Sequence, residues 1–257
     1  MKIVYFGTDV FLSCFRHLAE REEVLALYTY HNDEDYFTEH QIVRAARERG
    51  IPVMYGRIPE DRVRRYFEEE GCELFFSAEY GYIIPVPAGL ASFRGINVHS
   101  SFLPEGRGYY PIECAMERGL ERTGVTMHKI VSETDAGDVL FQEPIAIAPE
   151  MDSVDVYLES SRRALEMTRR LTADFEGAWN AARPQERLGE RWAKPVRFEE
   201  TIRRMYEDGY RVFLEVGPRG LMTSAVEDTL KGEPHAAIAL NSIHRRGLLQ
   251  VQHAVAQ

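Results

Sequence analysis

Residues 1–30 read MKIVYFGTDVFLSCFRHLAEREEVLALYTY, and the order of elements they encode decides the fold. Lys2–Phe6 is a short apolar, β-branched run that breaks at Gly7. Asp9–Ala19 follows with apolar residues at helical spacing, and Val24–Tyr30 reads as a second strand. The pattern continues outward. Ile42–Arg49 predicts a helix closing at Gly50, Ile51–Met54 a third strand, Pro59–Glu70 a third helix and Leu74–Ser77 a buried fourth strand. Strands alternating with helices predict an α/β fold on a mostly parallel sheet with right-handed crossovers. A further strand over Gly95–Val98 leads into the turn-rich loop Ser100–Tyr110. Pro111 then opens a helix, a position where its missing N–H costs nothing. Gly124–Val131 and Val139–Ile147 read as two more strands around the acidic loop Ser132–Asp138. Asp152 and Asp155 suit the N-cap and first turn of one long helix, Ser153–Trp179.

The composition narrows the classes of function. A hydrophobic content of 44% and a charged content of 28% over 257 residues are those of a globular protein with a real core. The net charge of −10 argues against a surface built for phosphate backbones. Three cysteines (Cys14, Cys72 and Cys114) are far apart and in no metal-ligand spacing, so reduced thiols, a cytoplasmic location and no bound metal are expected. The opening MKIVYFGTDVF turns polar too quickly for a signal peptide, and no later apolar run reaches the ~18 residues of a membrane span. Gly7 and Thr8 form an ordinary strand–helix turn, without the G-x-G-x-x-G of a dinucleotide site, so no nicotinamide cofactor is expected.

The chemistry lies in residues 96–139, INVHSSFLPEGRGYYPIECAMERGLERTGVTMHKIVSETDAGDV. Asn97 and His99 lie two apart, on one face at the C-terminal end of a strand, where open α/β sheets place their ligands. A lone histidine is more often structural than catalytic. This one follows a strand end, shares its face with an amide and precedes a turn-forming loop. Asp135 and Asp138 in Glu133-Thr134-Asp135-Ala136-Gly137-Asp138 both compete to be its carboxylate partner. Amide, imidazole and carboxylate together suit acyl transfer to an amine. The amide can hold a developing oxyanion, the imidazole can move protons near neutral pH, and the carboxylate can fix and charge the ring. Gly137 is expected to take a positive φ that brings the backbone close to a ligand. His128 is expected to be a packed or surface residue without chemistry.

This stretch resembles the catalytic core of the folate-dependent formyltransferases, whose pattern is Asn-x-His, Leu-Pro-x-x-x-Gly, Thr-Gly-Val-Thr and Asp-x-Gly-Asp. The resemblance covers residues 1–180 and implies a Rossmann-like catalytic domain with 10-formyltetrahydrofolate as formyl donor. By the same resemblance Asn97 holds the tetrahedral intermediate, His99 transfers protons, and Asp135 rather than Asp138 pairs with His99. It also implies folate contacts at Tyr82, Ile83 and Ile84 and at Val131, Ser132, Glu133 and Thr134, although core packing alone would explain an apolar Tyr82–Ile84. The tone of RTGVTMHKIVSETDAGDV followed by IAIAPE is nearest the amino-sugar members. The Leu-Pro loop departs from the family, with Glu105 and Gly106 where a basic residue and an aromatic are common. Tyr109 and Tyr110 follow and are candidates for the acceptor pocket by stacking on a sugar or base. The acidic loop and the overall charge disfavour a tRNA acceptor, so the expected acceptor is a small or carrier-bound primary amine of an amino sugar or amino acid derivative.

Residues 181–194, rich in Arg and Glu and containing Pro184 and Gly189, are expected to be a linker to an appendage over 195–257 with a helix–strand–helix–strand pattern. Phe213-Leu214-Glu215-Val216-Gly217-Pro218 resembles the end of polyketide-synthase acyltransferase domains. No G-x-S-x-G nucleophile motif occurs in the chain, so the appendage is expected to carry no acyl transfer. It is expected to serve as a structural cap, or as a docking element for a polyketide or peptide synthase in natural-product biosynthesis. Two other readings compete with transfer: formyltetrahydrofolate hydrolysis, with water as the nucleophile on the same three residues, and a non-catalytic docking module that kept the fold.

Overall fold

Lys2–Gly7 forms strand β1 at the centre of the sheet, and all its residues from Ile3 to Phe6 are fully buried. In a strand covered on both faces a continuous apolar run replaces alternation. The structure is a computed structural model describing residues 1–30, 40–185, 198–218 and 221–241. A short 3₁₀ turn, Asp9–Phe11, precedes helix α1 (Leu12–Arg21), which lays Cys14, Phe15 and Leu18 on the sheet. Strand β2 (Glu23–Thr29), helix α2 (Gln41–Glu48), β3 (Val53–Tyr55), α3 (Glu60–Glu68) and β4 (Leu74–Ala78) complete the first half. The Asp9 carboxylate accepts the N–H groups of Gln41 (3.0 Å) and Ile42 (2.8 Å), so a residue just after β1 caps α2.

The second half supplies β5 (Gly95–His99), α4 (Pro111–Glu117), β6 (Arg122–Lys129), β7 (Val139–Ala146), α5 (Ser153–Ala173) and α6 (Phe175–Asn180). The strand order is β3-β2-β1-β4-β5-β6-β7, parallel from β3 to β5 and antiparallel for β5–β6 and β6–β7. This is the expected mostly parallel, Rossmann-like sheet. Ile3, Tyr5, Leu27, Leu74, Phe76, Ile96, Val98, Val125 and Met127 face α1 and α5 in one core layer. Val4, Phe6, Tyr28 and Phe75 pack with Val63, Tyr66 and Phe67 of α3 in the other. Burying each such side chain contributes roughly 1.5–3 kcal/mol.

The single helix expected over Ser153–Trp179 is two helices. Asp152 and Asp155 form a reciprocal capping box at the start of α5, with both hydrogen bonds at 3.0 Å. Asp174 then leaves the helical path and its carboxylate accepts the Gly177 N–H at 2.9 Å, which starts α6. A local aspartate cap competes with helix continuation, and the apolar periodicity does not register that competition.

The chain divides into two units, Met1–Pro195 and Val196–Gln257. In the second, α7 (Phe198–Glu207), β8 (Val212–Pro218), α8 (Leu221–Thr229) and β9 (Ala236–Asn241) follow in the expected order, with β8 and β9 parallel. Ile202, Phe213, Val226 and Leu230 form its core. Glu215 accepts both the N–H (2.7 Å) and the hydroxyl (2.8 Å) of Thr223 in the first turn of α8. Within the expected linker and appendage, residues 186–197, 219–220 and 242–257 lie outside the described residues.

Candidate active site

Ile96 and Val98 of β5 point into the core beneath α1 and α5, so alternation along the strand turns Asn97 and His99 to the opposite face. In the antiparallel pairing with β6, Asn97 lies opposite His128 and His99 opposite Thr126. Thr126 anchors the loop that leaves β5. Its hydroxyl donates to the Ser101 carbonyl (2.7 Å) and accepts the Leu103 N–H (3.1 Å). From β7, Gln142 donates to the Leu103 carbonyl at 2.6 Å. Gly124, on β6, has room for no side chain, because a Cβ there would lie 2.7 Å from the Phe102 ring and from the Glu143 carbonyl.

The anchored loop returns its backbone to the site. The Gly106 carbonyl meets His99 Nε2 at 2.7 Å, and the Gly108 N–H donates to Asp135 Oδ2 at 2.9 Å. Asp135 reaches in from the β6–β7 loop, and its Oδ2 lies 3.7 Å from His99 Nδ1. His99 thus has a carbonyl oxygen within hydrogen-bond distance of Nε2 and a carboxylate facing Nδ1 at charge-pair distance. The other carboxylate oxygen, Oδ1, faces His128 Nε2 at 3.5 Å and Asn97 Nδ2 at 3.4 Å. Burial by itself would raise the Asp135 carboxyl. The charge of His99, the hydrogen bond and charge of His128, and the Gly108 N–H outweigh it and hold the group well below the usual carboxylate range.

The structure thus brings Asn97, His99 and Asp135 together. Asp138 lies elsewhere, with its carboxylate 3.5 Å from Lys129 Nζ and its carbonyl accepting the Lys129 N–H. Two local expectations are corrected. The positive φ of this loop belongs to Asp135 (φ 52°), not to Gly137. Gly137 is required for closeness instead, since a Cβ there would lie 1.9 Å from the Lys129 carbonyl oxygen. His128 is buried, as a packed residue would be, yet it is part of the polar cluster. Its Nδ1 donates to the Lys129 carbonyl at 2.9 Å, and its Nε2 lies 3.2 Å from Asn97 Nδ2 and 3.5 Å from Asp135 Oδ1. Strand periodicity carried the signal, for Thr126 and His128 alternate with the buried Val125 and Met127.

A chain covering 76% of its own length and 69% of the other's aligns with the methionyl-tRNA formyltransferase of Listeria innocua at 31% identity over 222 residues. The model of the formyl transferase family matches residues 41–168. The chain belongs to the formyl transferase family. It is a formyl-transferring enzyme. Two solved structures share its fold. The phosphoribosylglycinamide formyltransferase from Streptococcus pneumoniae superposes with a TM-score of 0.55 at 24% identity, covering 68% of this chain and 98% of that one. The N-formyltransferase from Helicobacter canadensis, solved with folinic acid and dTDP-3-aminofucose, gives 0.57 at 16% identity, covering 73% and 68%.

The remaining candidate residues of this formyltransferase chain lie in the β4–β5, β5–α4 and β6–β7 connections. Tyr82 packs tilted against Tyr30 (5.1 Å between centroids) and edge-on to Tyr80 (5.4 Å), and Arg57 lies over its ring at 5.2 Å. Ile83 is 60% exposed, whereas Ile84 is buried in the core layer of α3. Val131, Ser132, Glu133 and Thr134 are exposed and lead directly into Asp135. Tyr109 is 41% exposed and donates its hydroxyl to the Gly81 carbonyl at 3.1 Å. Burial, with the Asp135 charge, pushes the Tyr109 hydroxyl above its ordinary value despite Arg57. Tyr110 takes a left-handed conformation (φ 55°) that starts α4. Among the described residues no helix is long and apolar enough to cross a membrane and no metal-binding cluster occurs.

Proposed function

We propose that this enzyme moves the formyl group of 10-formyltetrahydrofolate to a primary amine, with Asn97, His99 and Asp135 as its catalytic residues. The observation that carries the reading is the convergence of these three side chains from β5 and the β6–β7 loop onto one buried polar cluster. The amine attacks the formyl carbon and negative charge builds on the formyl oxygen. The Asn97 amide and the His99 ring then meet that oxygen where burial strengthens the interaction. The amine nitrogen must lose a proton and the folate nitrogen must gain one, and His99 transfers it. Asp135 holds the ring and balances its charge. Exposed apolar side chains on the two folate segments, Ile83 and Val131, suit a pterin ring, and Tyr82, Ile84 and Ser132–Thr134 complete those segments.

The acceptor in this reading is the amine of an amino sugar or of a small or carrier-bound amino acid derivative, with Tyr109 and Tyr110 at its pocket. Support comes from the net charge of −10 and from the sugar nucleotide present in the Helicobacter canadensis structure. The name of the Listeria innocua relative favours a second reading, in which the amine is that of a methionyl-tRNA. Residues 1–180 would form the catalytic domain and residues 195–257 an appendage that caps it or docks on a synthase.

The test is the His99→Ala variant. It should lose formyl transfer while retaining affinity for folinic acid measured by calorimetry. Wild-type-like turnover by this variant would sink the assignment. Omitting the amine separates transfer from hydrolysis, because a transferase consumes its donor only when an acceptor is added. Aminated sugar nucleotides, carrier-bound amino acids and methionyl-tRNA presented in parallel distinguish the acceptors.

A further inference from the structure

Beyond α6 the chain turns back to the catalytic loop. Val139, the first residue of β7, exchanges backbone hydrogen bonds with Arg183, at 2.8 Å from its N–H and 3.0 Å to its carbonyl. Two residues later the Gln185 amide is used on every side. Its Nε2 donates to the carbonyls of Asp135 (2.7 Å) and Gly137 (3.0 Å). Its Oε1 accepts both Nε (3.2 Å) and one terminal nitrogen (2.6 Å) of Arg107. An amide has two N–H donors and an oxygen able to accept twice, so all of its capacity is spent. Each partner has a place in the site. Asp135 carries the carboxylate, Gly137 packs against β6, and Arg107 stands between Gly106, which touches His99, and Gly108, which touches Asp135.

We propose that Gln185 is a positioning residue for formyl transfer, clamping the β6–β7 loop to the loop after β5 so that the Asp135 carboxylate is held against His99. The proposal rests on the reading of Asn97, His99 and Asp135 as the catalytic set. Asp135 adopts a left-handed backbone, a sparsely populated conformation that aspartate tolerates better than most L-residues and that its surroundings must select. Inside the loop the backbone supplies little restraint, since its one internal hydrogen bond runs from the Ala136 N–H to the Glu133 carbonyl at 3.4 Å. Gln185 therefore does from outside what the loop does not do for itself.

Gln185→Glu is the informative variant. A glutamate keeps the length and gains a charge partner for Arg107, but it sets a carboxylate against two carbonyl oxygens. If Gln185 merely anchored Arg107, this variant would be neutral. With Gln185→Glu and Gln185→Ala, kcat should fall roughly tenfold, the effect of losing two modest hydrogen bonds. The KM for 10-formyltetrahydrofolate should stay unchanged. In an Asp135→Asn background the same substitutions should lower kcat no further. Amide hydrogen exchange over residues 131–138 should quicken by roughly the same factor while β1 and β4 keep their protection. Wild-type kcat in Gln185→Glu, a loss confined to KM, or a full further loss without the Asp135 carboxylate would each overturn the proposal. A wild-type chain that never consumes the donor would defeat the reading of the site, and the exchange measurement then decides the clamp alone. Unchanged exchange in both variants would overturn it.

Discussion

His99 Nδ1 stands 3.7 Å from Asp135 Oδ2, within the range of a charge pair and beyond that of a hydrogen bond. Asp135 therefore acts on His99 through its field more than through a shared proton, and a neutral isostere of the same shape would not replace it. Asp135→Asn should lower kcat by ~10²–10⁴, the usual worth of positioned acid–base catalysis, with folinic acid affinity retained. The carboxylate also contributes stability. Its folded pKa is depressed, so that contribution is present above about pH 3.9, the ordinary aspartate value, and fades as pH falls through the lower folded value. Urea unfolding should show the variant less stable than wild type at pH 7, with the gap closing in acid. A constant gap would mean that Asp135 is not ionised in the fold.

His128 Nε2 stands 3.5 Å from this carboxylate and 3.2 Å from the Asn97 amide nitrogen, so its ring sets the direction in which that amide points. His128→Phe fills the volume and removes one of the two polar partners of the Asn97 amide. Its kcat should drop roughly tenfold, in line with an unpaired buried polar group. His128→Gln restores a polar partner able to donate or accept and should recover much of the loss. If both variants match wild type in a donor-consumption assay, Asn97 is oriented by Asp135 alone.

The sheet and its helices were readable in residues 1–78 because buried parallel strands are continuous apolar runs and the helices between them end at Gly50 and Gly71. Asn97 and His99 were readable because period-two alternation sets them opposite the buried Ile96 and Val98. Strand periodicity sets His128 on the face of Thr126, but its pairing with Asn97 is not legible because register is a property of two segments 31 residues apart. Gln185 was hidden more deeply. It contacts Asp135 across 50 residues, from a stretch whose composition reads as linker. The break at Asp174 is not legible in the sequence, because a side-chain cap leaves the hydrophobic period of Ser153–Trp179 almost undisturbed.

Gly137 presses on β6 so closely that an added methyl would overlap the Lys129 carbonyl. That atom is backbone in a strand and cannot swing aside, so the loop must move instead. Gly137→Ala should cost about 1–3 kcal/mol, as overpacking does, measured as a lower urea midpoint. Because the loop carries Asp135, kcat should fall along with stability. A stable but inactive variant would mean that the displacement is confined to residues 131–138.

Asp9 links the first strand to the second helix. Its carboxylate accepts two N–H groups at the start of α2 and stands 3.7 Å from His40 Nδ1. Asp9→Ala should cost about 1 kcal/mol, as a lost N-cap does, and Asp9→Asn less, since its amide oxygen still accepts one N–H. Burial tends to raise this carboxyl, but the His40 ring beside it and the two backbone donors outweigh it and the group is depressed. The sign matches that of Asp135: the cap contributes above about pH 3.9 and loses its charge-dependent part as pH falls through the depressed value. Urea midpoints of wild type and Asp9→Ala should thus converge between pH 7 and strongly acid solution. Parallel midpoints across that range would show that α2 starts on its neutral hydrogen bonds alone.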